Sequence, residues 1–155
     1  AGSRLAVLMC PEHNEIPSFD SFKALPPSYW ERTDGHWYAM LSRPQPMNSI
    51  EVPAYLEPAE LVLADAPDDR NRRISIGGDP EWLQAPEKFT CACGAPMAFV
   101  CQVSDGFEFP KVTDAPQQPD SSSVNDYVLF LGNEVYVFAC PEQCNPRAVW
   151  VTVQN

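Results

Sequence analysis

Glu134-Val135-Tyr136-Val137-Phe138-Ala139-Cys140 runs directly into Pro141-Glu142-Gln143-Cys144. The first stretch is nearly all apolar, rich in β-branched and aromatic residues, and free of glycine and proline. That pattern reads as a strand covered on both faces. Tyr127 to Leu131 reads as a second apolar arm, with Gly132-Asn133 between the two. Glycine at the first central position suits a type II′ turn, so the expectation is a hairpin of these two arms. Cys140 and Cys144 close the strand and offer two sulfurs from one short loop.

A matching pair lies upstream. Cys91-Ala92-Cys93-Gly94 stands just before Met97 to Ser104, which reads as another strand. Structural zinc takes four ligands in a closed tetrahedron, and thiolates serve it well. A sheet that brings the two loops together, although residues 94–139 intervene, would complete a site of Cys91, Cys93, Cys140 and Cys144. Gly94 permits the tight backbone turn such a loop needs. The alternatives are two disulfides between the pairs or four free thiols. Cys101, inside Phe99-Val100-Cys101-Gln102-Val103, reads as a small core thiol. Cys10-Pro11-Glu12-His13 is a C-x-x-H pair that His36 could join, but no fourth ligand accompanies them. The expectation is a core cysteine beside a surface histidine.

The chain has 155 residues with 45 % apolar and 20 % charged side chains, enough for one globular domain with a real core. Its 17 prolines rule out an architecture of long helices. Further strands are expected at 4–10, at 36–43, within 55–64 toward Glu60–Ala64, at 74–76 and at 148–154. Ser18 to Leu25 could make one or two helical turns, stopped by Pro26-Pro27. Residues 44–53 read as a loop and 67–73 as a charged, exposed turn. Residues 105–124 hold three prolines and Ser121 to Ser123, and are expected to form a mobile surface loop. The fold expected is mainly β (β-rich α+β), with antiparallel sheets, a zinc knuckle site of four cysteines and short helical turns only. It spans 1–155 as a single domain.

The formal net charge is −11, from 21 acidic and 10 basic side chains. A phosphate-neutralising groove needs the opposite balance, so nucleic acid and anionic membrane are poor partners. Charge of this sign steers in a basic protein, or simply aids solubility. No segment reaches the ~20 apolar residues of a membrane span. Leu5 to Met9 is too short for the apolar core of a signal peptide. Clustered cysteine pairs without such a signal favour metal ligands in a reducing compartment, and a cytoplasmic location is expected.

The stretch Ile76-Gly77-Gly78-Asp79-Pro80-Glu81-Trp82-Leu83-Gln84, the cysteine pair, Pro96 to Val103, and Val135-Tyr136-Val137-Phe138-Ala139-Cys140 together carry a resemblance. Residues 74–154 resemble the YwqG-like bacterial family of unknown function and its relative, programmed cell death protein 2. The shared pattern is glycine-glycine, proline and tryptophan, a cysteine pair with glycine, an apolar strand ending in glutamine, and a downstream strand ending in cysteine. The family usually has C-x-x-C-G, and this chain departs from it with Cys91-Ala92-Cys93-Gly94. Residues 1–70 match no pattern. The resemblance implies a sheet-rich fold, zinc in some members, and for the eukaryotic relatives an escort role toward a basic ribosomal protein.

The residues themselves give Gly77-Gly78 a sharp turn and Trp82 a core or rim anchor, or a binding hot spot. Gln102 either bonds backbone or faces solvent. The function expected is a zinc-stabilised protein-interaction module, an escort or immunity-type binder of a basic partner, with an exposed aromatic such as Trp30 or Trp37 as anchor. No catalytic motif is present: there is no nucleophile elbow, no H-E-x-x-H and no phosphate-cradling loop. The alternatives are an enzyme using carboxylates such as Asp68 or Asp69, and a thiol redox sensor built from the same cysteines.

Overall fold

In a computed structural model of the chain, residues 3–13, 17, 24–32, 36–43, 55–60, 62 and 74–155 are described. They form β1 (Arg4–Met9), β2 (Trp37–Ser42), β3 (Ile74–Ile76), β4 (Ala98–Val103), β5 (Glu108–Pro110), β6 (Asp126–Val128), β7 (Glu134–Ala139) and β8 (Val149–Gln154). The only helical pieces among the described residues are two 3-10 turns, Tyr29–Glu31 and Leu129–Gly132. The chain is therefore β-rich with antiparallel sheets. The main sheet has the order β3-β4-β7-β8, and β1-β2 and β5-β6 are separate two-stranded pairs.

β7 lies inside the main sheet, between β4 and β8, and every residue of β7 and β8 is buried. Their register pairs Val135 with Val153, Val137 with Val151 and Ala139 with Val149. Side chains alternate across a strand, so these six share one face. That face packs with Ala39, Cys101, Val103 and Phe130, and β1 and β2 contribute Leu5, Val7, Met9, Trp37 and Leu41 to it. The opposite face carries Tyr136, Phe138, Cys140 and Trp150, packed with Leu25, Tyr29, Phe89 and Cys91.

A β-bulge decides which face β4 gives to each side chain. Phe99 opposes Phe138, but Cys101, not Val100, opposes Val137, and Gln102 then opposes Tyr136. The extra residue shifts the alternation by one. Cys101 is thereby turned onto the aliphatic face, 7 % exposed, away from the face that holds Cys91 and Cys140.

Gln102 bonds backbone. Its Oε1 accepts from the Glu81 N–H at 2.9 Å and its Nε2 donates to the Glu81 carbonyl at 3.1 Å and to the Glu134 carboxylate. Next along the sheet, the Tyr136 hydroxyl donates to the Glu81 carbonyl at 3.1 Å and accepts from the Leu83 N–H at 3.0 Å. On β8, Gln154 accepts from the Gln84 N–H at 2.8 Å and donates to the Ala85 carbonyl at 3.2 Å. Residues 81–85 thus form a strap laid across three strands. Trp82 is half-buried and stacks on Tyr136, with centroids 4.4 Å apart, which makes it a rim anchor. Gly77 and Gly78, with φ of 69° and 73°, turn the chain from β3 into the strap. Ile76, at the end of β3, stays 66 % exposed.

The expected hairpin of 127–131 with 134–140 does not form. β6 ends at Val128 and pairs with β5, whereas β7 pairs with β4 and β8. The reason lies at Phe130 and Leu131, which adopt left-handed backbone angles (φ 46° and 59°) in a 3-10 turn. This conformation is costly for residues with a Cβ. It is offset by insertion of Phe130, 2 % exposed, against Trp37 in the core, and by the Asn133 side-chain amide donating to the Phe130 carbonyl. Local turn chemistry gave way to burial of one aromatic ring.

Residues 105–124 contain β5, and they also place Gln118 in the interior at 1 % exposure. Its amide pairs with both backbone groups of Val128 at 2.9 Å, as a neighbouring strand would. The expected helical turns at 18–25 fall on described positions only at Ala24 and Leu25, which are not helical. The loop at 44–53 and the charged turn at 67–73, with Asp68 and Asp69, lie outside the described residues. Of the strand expected at 60–64 only Glu60 and Val62 are described, and neither is in a strand. Leu56 makes an isolated bridge with Lys111.

Candidate metal centre

Two loops of similar construction meet at one end of the main sheet. In each, the first cysteine is buried at the edge of the core and its carbonyl accepts a hydrogen bond from the residue three positions on. Gly94 N–H donates to the Cys91 carbonyl at 2.8 Å, and Gln143 N–H donates to the Cys140 carbonyl at 3.0 Å. Both donors have positive φ, 92° for Gly94 and 46° for Gln143. A tight turn follows each first cysteine and closes at a residue with left-handed backbone angles. Glycine makes that turn without strain in the first loop, whereas Gln143 makes it despite its Cβ. The different spacings, C-x-C and C-x-x-x-C, place the second cysteine on either side of the turn residue.

Both loops are fixed to the sheet. Cys140 N–H donates to the Ala148 carbonyl at 2.9 Å, linking the end of β7 to the approach to β8. Cys91 N–H donates to the Ala95 carbonyl at 2.8 Å, and Thr90 bridges Pro96. The Phe99–Phe138 and Ala98–Ala139 pairing of β4 with β7 then brings the loops together.

All four sulfurs lie within 4.8 Å of one another, and the four side chains could hold a metal ion. Cys91 and Cys144 approach to 3.6 Å, as do Cys93 and Cys140. A tetrahedral ion with metal–sulfur bonds of about 2.3 Å has sulfur–sulfur edges of about 3.8 Å. The observed edges fit that figure and exceed the disulfide length of about 2.05 Å by a wide margin. All six cysteines are free. Cys91 and Cys140 are 1 % and 2 % exposed, whereas Cys93 and Cys144 are exposed.

The electrostatics show why this quartet suits a cation. Burial pushes the Cys91 thiol up, but hydrogen bonds from the Cys93 backbone, the Tyr29 hydroxyl and the neighbouring thiols outweigh it and bring it down to about 7. Cys144 is pushed up to about 12, by desolvation and then by its contacts with Cys91, Cys140 and Cys93. It is exposed as a residue, yet its sulfur sits against Cys91. A backbone hydrogen bond from Ala95 pulls Cys93 down, and its sulfur neighbours with desolvation reverse the direction to upward. One sulfur ionises readily, and the charge it carries opposes the next. A divalent cation removes that repulsion, and binding it releases the remaining protons.

One neighbour of the quartet was not legible in the sequence. Tyr29 is 2 % exposed, and its hydroxyl lies 3.7 Å from Cys91 Sγ and 3.6 Å from Met97 Sδ. It comes from the segment after Pro26-Pro27, which is tied to the first loop by Leu25 N–H donating to the Thr90 carbonyl at 2.8 Å. Nothing in the pattern of residues 24–31 signals a contact 62 positions away.

Cys10, His13 and His36 also meet, but not as a metal set. His13 Nδ1 is 3.1 Å from Cys10 Sγ, and the two imidazoles stack with centroids 3.8 Å apart and planes 10° from parallel. A metal lies in the plane of each imidazole that binds it, so face-to-face rings do not converge on one ion. Among the described residues the only group of three or more ligating side chains at mutual metal-binding distance is the cysteine quartet. Trp30 and Trp37 are not exposed anchors. Both are half-buried, Trp37 against Phe130 and Trp30 edge-on to Tyr29, because the core behind them takes their rings. The aliphatic face of the sheet borders a recess of about 840 Å³, lined by residues such as Val7, Leu41, Ile74, Val103 and Tyr127. No helix of the described residues is long and apolar enough to cross a membrane.

Comparison of the chain with protein-family models, with curated proteins and with solved structures finds no match. The resemblance of residues 74–154 to the YwqG-like family therefore stands on its sequence motifs alone.

Proposed function

We propose that the chain is a zinc-stabilised protein-interaction module whose partner is a basic protein. The carrying observation is the cysteine quartet, with its 3.6 Å edges crossing between the two loops. Four thiolates in that arrangement favour zinc over harder ions, and they leave no open position for water or substrate. The metal is then a staple that joins two loops, not a catalyst. Free thiolates of this kind persist in a reducing compartment, which agrees with a cytoplasmic protein.

The binding role rests on charge and on the strap. The net charge of −11 favours encounter with a cationic partner. Glu81 and Leu83 are exposed on the strap held by Gln102, Tyr136 and Gln154, and Asp79 is exposed just before it. An apolar tip flanked by carboxylates on a pre-organised loop suits a lysine- or arginine-rich surface, since little conformational freedom is lost on docking. An escort or immunity-type role toward such a partner agrees with these features and with the motif resemblance.

The test is affinity capture from the native source, followed by association kinetics at several salt concentrations. Recovery of a basic protein whose association rate falls as salt rises supports the reading. Capture of only acidic or neutral proteins, or turnover of a small-molecule substrate by the purified chain, contradicts it.

A further inference from the structure

We propose that the cysteine quartet is a modification site for hydroperoxides, in which exposed Cys93 and Cys144 react first and buried Cys140 and Cys91 resolve them into two disulfides that join the loops as the metal leaves. This rests on the reading of the quartet as a zinc centre.

The four sulfurs are not equivalent. Cys91 and Cys140 are closed off at 1 % and 2 % exposure, and Cys91 is further covered by the Tyr29 hydroxyl. Cys93 and Cys144 are exposed residues, with the Cys144 sulfur resting against Cys91. An oxidant in solution therefore meets one exposed cysteine from each loop. Each exposed sulfur lies close to a buried one in the other loop: Cys144 faces Cys91 and Cys93 faces Cys140, both at 3.6 Å. A bond across either gap needs the sulfurs to close by about 1.5 Å. A bond within Cys91-Ala92-Cys93 would instead close a small, strained ring. Cys101 is on the other face of the sheet and takes no part.

The chemistry balances with a hydroperoxide as the sole oxidant. The Cys144 thiolate, which would be held ionised while the quartet binds a metal, attacks the terminal oxygen of the hydroperoxide and breaks the O–O bond. The leaving alkoxide takes a proton from water and departs as an alcohol, leaving a sulfenic acid on Cys144. The Cys91 thiolate then displaces hydroxide from that sulfur, forming the S–S bond, and the hydroxide is protonated to water. Two electrons pass from the two sulfurs to the peroxide. With Cys91 and Cys144 joined, only two sulfurs would remain to hold a metal, and a second hydroperoxide joins Cys93 to Cys140 in the same way. Because both bonds link the same loops that the metal linked, the oxidised protein keeps the staple while giving up the cation.

The experiment uses the full chain purified under reducing conditions, with hydrogen peroxide as the probe. Zinc is measured before treatment by elemental analysis and during it with a chromophoric chelator, and disulfides are mapped by mass spectrometry. The expected result is about one equivalent of zinc at the start and its release by about two equivalents of peroxide, as the stoichiometry above requires. The disulfides found are Cys91–Cys144 and Cys93–Cys140, and reductant with added zinc restores the starting state. Absence of metal in the untreated protein overturns the zinc reading and this inference with it. Zinc that is present but retained under excess peroxide overturns the inference alone. So does release accompanied by sulfinic or sulfonic acid, or by disulfides within a loop or to Cys10 or Cys101.

Discussion

The side-chain amide of Gln102 holds the main chain of Glu81 from both sides, accepting from its N–H at 2.9 Å and donating to its carbonyl at 3.1 Å. The pair joins the interior of the main sheet to the strap that covers its aromatic face. Gln102 is 7 % exposed and also donates to Glu134, itself 6 % exposed. Removing it takes the side-chain partner from the Glu81 N–H and one hydrogen bond each from the Glu81 carbonyl, which keeps the Tyr136 hydroxyl, and from the Glu134 carboxylate, which keeps the Asp105 N–H at 3.0 Å. Gln102→Ala is expected to cost about 2 kcal/mol in urea unfolding. A cost below about 1 kcal/mol would show that the strap is held elsewhere.

Tyr29 reaches the cysteine quartet with its hydroxyl, at 3.7 Å from Cys91 Sγ. Tyr29→Phe keeps the ring against Trp30 and Trp150 and removes that contact. Groups that hydrogen-bond a ligand commonly contribute tenfold or more to metal affinity. Zinc affinity, measured by competition with a chelator, is expected to fall by about tenfold while unfolding changes by about 1 kcal/mol or less. Unchanged affinity would remove Tyr29 from the centre.

Burial pushes the Cys101 thiol up to about 11 from an ordinary value near 9.0. Between these values the folded state keeps a proton that the unfolded chain has lost. The contribution to stability is therefore present in full below pH 9 and is lost as pH rises through 11, roughly 3 kcal/mol in all. Cys101→Val lacks this component. The stability of the wild type relative to the variant should fall across that window in denaturant titrations at stepped pH. A constant difference from about pH 8 to about pH 11 would place the thiol in contact with water.

The features legible in the sequence are those written in local pattern. The apolar run from Val135 to Cys140 announces a strand buried on both faces, the alternating valines of 149–153 announce a further strand, and the cysteines beside strands announce a meeting of two loops. What was not legible depends on registers that only the packed sheet sets. The bulge at Val100 is invisible in Phe99-Val100-Cys101-Gln102, yet it sends Cys101 away from the quartet and Gln102 toward Glu81. Gly132-Asn133 carries the composition of a hairpin turn, but burial of Phe130 overrides it. The stacking of His13 on His36 likewise needs the β1-β2 register, which pairs Met9 with Trp37 and so sets Cys10 beside His36.

The central claim is that Cys91, Cys93, Cys140 and Cys144 hold one structural zinc ion, and elemental analysis of three purified proteins tests it most directly. The wild type and Cys101→Ser should each carry about one zinc per chain, and Cys140→Ser should carry close to none and melt at a clearly lower temperature. A folded wild type without metal, or equal zinc loss in Cys101→Ser and Cys140→Ser, would contradict it.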